Sequence, residues 1–216
     1  MNKKILFIPR YALIPAVIYI ITISIYYIGR GLTENSPHYS VDIFLDQLLP
    51  FVPSFVFIYV LAYLQWFAGY VIIANSYKDI CYKYFGGDLV AKIISLIIFL
   101  VFPTVMVRPE IMGDGVAEGI LAWIYRVDEA NMLFPSIHCL ESWIVMRGTL
   151  ESGAPKWVKT LMLIFSLLVM LSVVLVKQHV VLDIPGGIIV GELGILLFNK
   201  FNGRRVYEWL ENRIGW

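Results

Sequence analysis

Apolar runs of about twenty residues, the length that spans the hydrocarbon core of a bilayer, recur along this chain with little between them. Lipid offers the backbone no hydrogen-bonding partner, so such runs have to satisfy their N–H and C=O groups internally, as α-helices do. The runs fall at roughly 11–29, 53–75, 89–107, 137–150, 158–177 and 181–199. Only 15% of the residues are charged and 59% are hydrophobic. A water-soluble domain carries about a quarter charged residues, so this chain has too little polar surface to cover a soluble globule. The expected fold is all-α: a polytopic membrane protein, a six-transmembrane-helix bundle forming one domain over residues 1–216. The fourth run is short and holds Glu141 and Ser142, so it depends on protein neighbours more than on lipid.

The start, Met1-Asn2-Lys3-Lys4 before an apolar run, has the look of a secretory signal. The run is longer than the roughly 7–15 residues of a signal's apolar region, and no small-residue cleavage site follows it. An uncleaved first span is expected. Basic residues then alternate strongly from one side to the other. Lys3, Lys4, Arg10, Lys78, Lys83, Lys92, Arg147, Lys156, Lys159, Lys200, Arg204, Arg205 and Arg213 fall on one side, and Arg30, Arg108, Arg126 and Lys177 on the other, 13 against 4. The positive-inside rule places both termini in the cytoplasm, in the cell membrane. Cys81 and Cys139 would have to reach across the bilayer to pair, against disulfide geometry, so free thiols are expected. The net charge of +1, without a basic stripe, gives no sign of a nucleic-acid partner.

Two short pieces concentrate chemistry at run boundaries on the outer side: Phe134-Pro135-Ser136-Ile137-His138 and His179-Val180-Val181-Leu182-Asp183. Ionisable groups at membrane depth are costly and are functional-site candidates by default. His179 and Asp183 are four apart and share a face if a helix has begun there. A carboxylate on one imidazole nitrogen fixes the tautomer and leaves the other nitrogen as a nucleophile or base. The alternative is a pair that merely satisfies itself at a helix entrance. Pro135 and Ser136 read as a helix start, where free N–H groups and the dipole favour a phosphate. His138 in that first turn is either a general acid or a boundary histidine of a capped helix.

Glu141, three residues on, either favours protonated His138 or makes an interhelical hydrogen bond. Arg108 is a phosphate clamp or a snorkelling arginine. Lys177 is a second cation for phosphate or an anchor. Glu192 reads as structural, and His38 receives no role. A zinc site of His138, Glu141, His179 and Asp183 is a competing arrangement.

Taken together, Arg108-Pro109, Pro135-Ser136-x-His138 and His179-x-x-x-Asp183 resemble the type 2 phosphatidic acid phosphatase superfamily, over the six-span layout and the motif region from Arg108 to Asp183. That superfamily includes vanadium haloperoxidases, lipid phosphatases and inositol-phosphoceramide-synthase-like phosphotransferases. The resemblance implies that His179 attacks phosphorus, Asp183 orients it and His138 protonates the leaving alcohol. It implies that Arg108, Ser136 and nearby N–H groups hold the phosphoryl oxygens, with no metal and no cofactor. It implies a membrane phospholipid or isoprenoid phosphate as substrate and the lipid bilayer as the setting. Three positions depart from the family pattern: Val101 replaces its lysine, Ile137 its glycine, and Val173 its second arginine. Phe-Pro-Ser-x-His and Lys177-Gln178-His179 look more like the phosphotransferase branch, with Lys177 partly replacing a lost charge.

The functions expected are therefore a lipid phosphate phosphatase, a phosphotransferase moving a phosphoryl headgroup to a lipid or polyol alcohol, or a catalytically weak lipid-binding homologue. The two imidazoles should face one another across a pocket also holding Arg108 and Asp183, on the order of 6–8 Å apart, since each hydrogen bond to a shared phosphate runs about 3 Å. For the topology, a cysteine introduced near Asp114 is expected to be labelled by an impermeant reagent from outside, and one near Lys156 to be protected. The reverse pattern overturns the orientation.

Overall fold

The computed structural model describes residues 8–22, 24–33 and 35–215. Lys3 and Lys4, used above for orientation, lie outside the described residues. The elements in chain order are α1 Arg10–Thr22, α2 Ser24–Thr33, α3 Phe44–Leu48, a 3₁₀ turn Pro53–Phe55, α4 Val56–Ala74, α5 Lys78–Val101, α6 Val116–Val127, α7 Ile137–Glu151, α8 Lys156–Leu175, α9 Asp183–Lys200 and α10 Arg204–Ile214. The chain is all-α: among the described residues extended pairing is confined to isolated bridges, Tyr39 with Thr104 and Val105 with Asn131.

Among the described residues, three helices are long and apolar enough to cross a membrane: the 22-residue segment Pro53–Ala74, the 24-residue Lys78–Val101 and the 20-residue Lys156–Leu175. A fourth is reached only if α9 and α10, which meet at 64°, are taken as one broken span. The first expected run covers α1, of 13 residues, and the start of α2. α7 has 15. Exposed Ile20, Ile21, Leu64, Phe67, Ile97, Leu161, Leu167 and Leu196 give the helices an apolar outer surface, as an integral membrane protein requires.

The third run needs correction. α5 starts at Lys78 instead of near 89, so Lys83 and Lys92 are helix residues and not loop residues. A hydropathy reading stops at Asp88 and Lys92 because each charge counts against burial. Here they lie one turn apart, with Nζ 2.9 Å from Oδ2, and neutralise each other inside the bundle. Arg147 likewise belongs to α7 and not to the following loop. Its Nε is 2.8 Å from Glu192 Oε1, which also accepts from Trp143 Nε1 at 2.8 Å, the structural role expected of Glu192. The outer segment read as a loop contains α6. Its exposed Trp123 and buried Leu121 and Ile124 show a helix with distinct faces.

α7 sits at the centre, against α4, α8 and α9. Leu140, Ile144 and Val145 are fully buried, and so is Ser142, whose hydroxyl accepts from Trp66 Nε1 at 2.9 Å and donates to Gln65 Oε1 at 3.2 Å. The short fourth run thus depends on protein neighbours. α5 and α9 meet along small residues. A Cβ added at Gly194 would lie 2.3 Å from the Gly87 carbonyl oxygen and 2.7 Å from Ala91 Cβ. Gly187 has the same meaning nearer the motifs, since a Cβ there would lie 2.6 Å from the Ser136 carbonyl oxygen. Cys81 and Cys139 are free and buried.

Two glycine substitutions should therefore have opposite signs. Alanine exceeds glycine in helix propensity by about 1 kcal/mol, and at Gly119 in α6 nothing within 4 Å obstructs it. Gly119→Ala is expected to raise the melting temperature. Gly194→Ala is expected to lower it, because overpacking against backbone costs about 1–3 kcal/mol. Thermal unfolding in one detergent measures both.

Candidate active site

The turn between α8 and α9 folds back on its own helix end. Gln178 N and His179 N both donate to the Val173 carbonyl, at 2.9 and 3.0 Å. Lys177 takes a left-handed φ of 51° to make the reversal. The chain then enters α9 at Asp183, which is completely buried. Its Oδ2 lies 3.0 Å from His179 Nδ1 and accepts from Val180 N at 3.1 Å. A carboxylate acceptor keeps the proton on Nδ1, so Nε2 is the ring nitrogen with a lone pair. The two groups meet although α9 begins only at Asp183, so the turn, and not a shared helix face, brings His179 to the carboxylate.

The other motif is joined to this one through backbone. Ser136 N donates to the Asp183 carbonyl at 3.3 Å. Ser136 caps α7, its hydroxyl accepting from Cys139 N at 3.3 Å. His138 follows in the first turn, and its ring stacks on Tyr59 with centroids 4.2 Å apart. Tyr63 and Trp66 present edges to it at 5.6 and 4.9 Å. The ring centroids of His138 and His179 are 6.1 Å apart, inside the expected span. His138 Nε2 is buried without a protein partner.

Both imidazoles line one cavity of about 860 Å³ between α1, α4, α5, α6 and α7. Its walls are aromatic, with Tyr59, Tyr63, Trp66, Phe67, Phe99 and Trp123. Tyr19, Thr22, Lys92 and Glu141 add a polar region. There Lys92 Nζ bridges Glu141 Oε1 at 2.6 Å and Asp88 Oδ2 at 2.9 Å, and sits 4.1 Å from the Tyr19 ring centroid. Tyr70 donates to Glu141 Oε2 at 2.7 Å. Glu141 thus makes interhelical bonds and does not serve His138. Arg30, bound to Glu129 at 3.0 Å, also lines the cavity, together with Asp128 and Asn131.

The structure brings His138, His179 and Asp183 together. The three expected phosphate-binding residues lie elsewhere. Lys177 Nζ donates to the Asp46 and Leu49 carbonyls, both at 2.9 Å, and anchors the segment around α3. Ser136 is fully buried and engaged as a cap. Arg108 lies beyond the end of α5 and is aimed at backbone and amide. Its Nη1 donates to the Asp128 carbonyl at 2.5 Å, its Nη2 donates to Gln178 Oε1 at 2.5 Å, and its guanidinium lies 4.5 Å from the Tyr125 ring centroid. None of these three lines the cavity. Sequence reading missed Gln178, Arg30 and the cavity-facing role of Lys92. A signal for Lys92 was its i, i+4 spacing from Asp88. Among the described residues, no three or more His, Cys, Asp or Glu side chains gather to hold a metal ion.

Comparison with protein-family models gives no match, and no curated protein matches the chain.

The buried triad of Asp88, Lys92 and Glu141 generates a stability prediction. Removing one partner of a buried ion pair costs about 3–5 kcal/mol, because the opposite charge is left uncompensated. Lys92→Met should therefore destabilise strongly, and adding Asp88→Asn and Glu141→Gln to it should recover most of the loss. Unfolding in mixed detergent micelles reads both.

Proposed function

We propose that this chain is a membrane enzyme that cleaves a lipid phosphate ester through a phosphohistidine formed on His179. The observation that carries the reading is the Asp183-held imidazole of His179 facing the imidazole of His138 across one cavity with aromatic walls. In the first step His179 Nε2 attacks phosphorus, the bond to the leaving oxygen breaks, and that oxygen takes a proton from His138. In the second, water or another alcohol returns a proton to His138, attacks phosphorus and releases His179. Asp183 compensates the positive charge that His179 gains while bonded to phosphorus. No cofactor takes part in either step.

The substrate class is a membrane phospholipid or isoprenoid phosphate, whose tail the aromatic walls suit. The resemblance to the type 2 phosphatidic acid phosphatase superfamily supports the same division of labour. In this reading α1 with α2, α4, α5, α7, α8 and α9 make six crossings. Both termini are cytoplasmic and the histidines lie at the outer boundary.

A second reading, a lipid-binding homologue with little or no catalysis, is favoured by one observation: none of Arg108, Ser136 and Lys177 lines the cavity. Phosphate release or transfer by purified protein on a lipid-phosphate panel separates the two. His179→Ala should abolish turnover of every substrate, since no phosphoenzyme forms. His138→Ala should slow an alkyl phosphate by about 10²–10⁴-fold, the usual worth of general acid catalysis. A nitrophenyl phosphate, whose leaving group is stable as an anion, should lose much less. Turnover should survive a chelator. Equal losses on both substrates, or inhibition by a chelator, remove the phosphohistidine assignment.

A further inference from the structure

One polar side chain beside His179 holds a buried donor that no protein group meets. Gln178 is 1% exposed, yet it lines the same cavity as His138 and His179. Its amide orientation follows from chemistry: Arg108 Nη2, 2.5 Å from Oε1, is a donor only, so the oxygen has to face it. The NH₂ group is thereby fixed on the opposite side, and Nε2 has no hydrogen-bond partner. Buried donors are almost always satisfied, and an unsatisfied one calls for an explanation. Here the neighbouring nucleophile supplies it.

The charges around the cavity add a second constraint. Its lining holds two permanent cations, Arg30 and Lys92, against three carboxylates, Asp128, Glu129 and Glu141. Arg30 is bound to Glu129 at 3.0 Å, and Lys92 to Glu141 at 2.6 Å. Even with His138 protonated, as its role as general acid requires, three cations face three carboxylates, so no surplus of positive charge awaits an anion. The cost of burying an ion grows with the square of its charge, so a dianion suffers about four times the penalty of a monoanion. A phosphate monoester is a dianion above neutral pH, whereas a phosphodiester carries a single charge.

We infer that Gln178 is the phosphoryl-oxygen donor of this site, a neutral group used where a cation would be expected, and that the substrate it selects is a phosphodiester lipid headgroup. This rests on the phosphohistidine reading. His179 Nε2 forms the N–P bond, the P–O bond to one alcohol breaks, and that alcohol leaves with the proton of His138. The remaining ester stays on phosphorus, its unesterified oxygen held by Gln178 Nε2. An incoming alcohol or water then gives its proton to His138 and displaces His179. The products are a new diester or a phosphomonoester respectively.

Gln178→Glu keeps an oxygen for Arg108 but replaces the donor with an acceptor that carries a negative charge, so Gln178→Met, which removes the donor without adding charge, is read beside it. A purely structural glutamine predicts a lowered melting temperature in Gln178→Met with kinetics of the folded protein close to wild type, and that outcome overturns the donor role. The donor role predicts kcat/KM on hexadecyl 4-nitrophenyl phosphate lowered about 10²–10³-fold in both variants, the range for removing one oxyanion donor. Two unreactive inhibitors test the charge. Methyl hexadecylphosphonate, a monoanion, should bind wild-type protein at least about tenfold more tightly than hexadecylphosphonate at a pH where the latter is a dianion. Wild-type kinetics in Gln178→Glu, or tighter binding of the dianion, overturns the inference while leaving the phosphohistidine reading standing. If wild type turns over nothing, His179→Ala will match it and that reading fails. The thermal shift given by methyl hexadecylphosphonate then decides the role of Gln178: a shift equal in wild type and Gln178→Glu overturns it.

Discussion

The buried carboxylate of Asp183 ties together the end of the bundle that carries both histidines. One oxygen accepts from His179 Nδ1 and from the Val180 backbone, while the residue's own carbonyl accepts from Ser136 N. A single residue at the first position of α9 thereby fixes the turn that carries one histidine and the helix start that carries the other. The arrangement depends on a close backbone approach, which the missing side chain of Gly187 allows. Were α9 held further out, the Ser136–Asp183 bond would open and the two imidazoles would lose their common register.

Much of this was readable from the sequence, because the interactions are local. The four-residue step from His179 to Asp183 and the capping serine two residues before His138 are short-range patterns that physics constrains tightly. The apolar runs found the long helices α4 and α8 almost to the residue. Run-finding failed where burial was compensated by a partner. Lys92 looked like the end of a loop because its two carboxylates, Asp88 and Glu141, lie on its own helix and on one that follows some fifty residues later. The surroundings of the expected phosphate cations were hidden for the opposite reason. Arg108 and Lys177 have the right chemistry and lie near the site in sequence. Their direction, however, is set by acceptors in distant segments: the Gln178 amide for one and the Asp46 and Leu49 carbonyls for the other.

The same compensation recurs from the interior to the helix surface. Lys92 meets Asp88 and Glu141 in the buried interior, and Arg147 meets Glu192 where both are partly exposed, so these charges on the helices are matched by partners on the same or neighbouring helices. Matching of this kind lets α5 and α7 hold ionisable groups at depths where a lone charge is costly. It also means that the polar groups lining the cavity are largely engaged with one another before any ligand arrives.

That prior engagement limits how the cavity can recognise a phosphoryl group. A cation already held by a carboxylate is a weak partner for an additional anion, since the anion would have to compete for it in a medium of low dielectric. Donors that no carboxylate holds carry no such commitment. Gln178 Nε2 and His138 Nε2 are both buried, both part of the cavity wall and both unpartnered. They flank the histidine whose second nitrogen Asp183 keeps available. Recognition by direction, through donors fixed in orientation, replaces recognition by net charge. Arg108 contributes by holding the glutamine oxygen, so its fixed positive charge sits one residue behind the cavity and polarises the donor that faces inward.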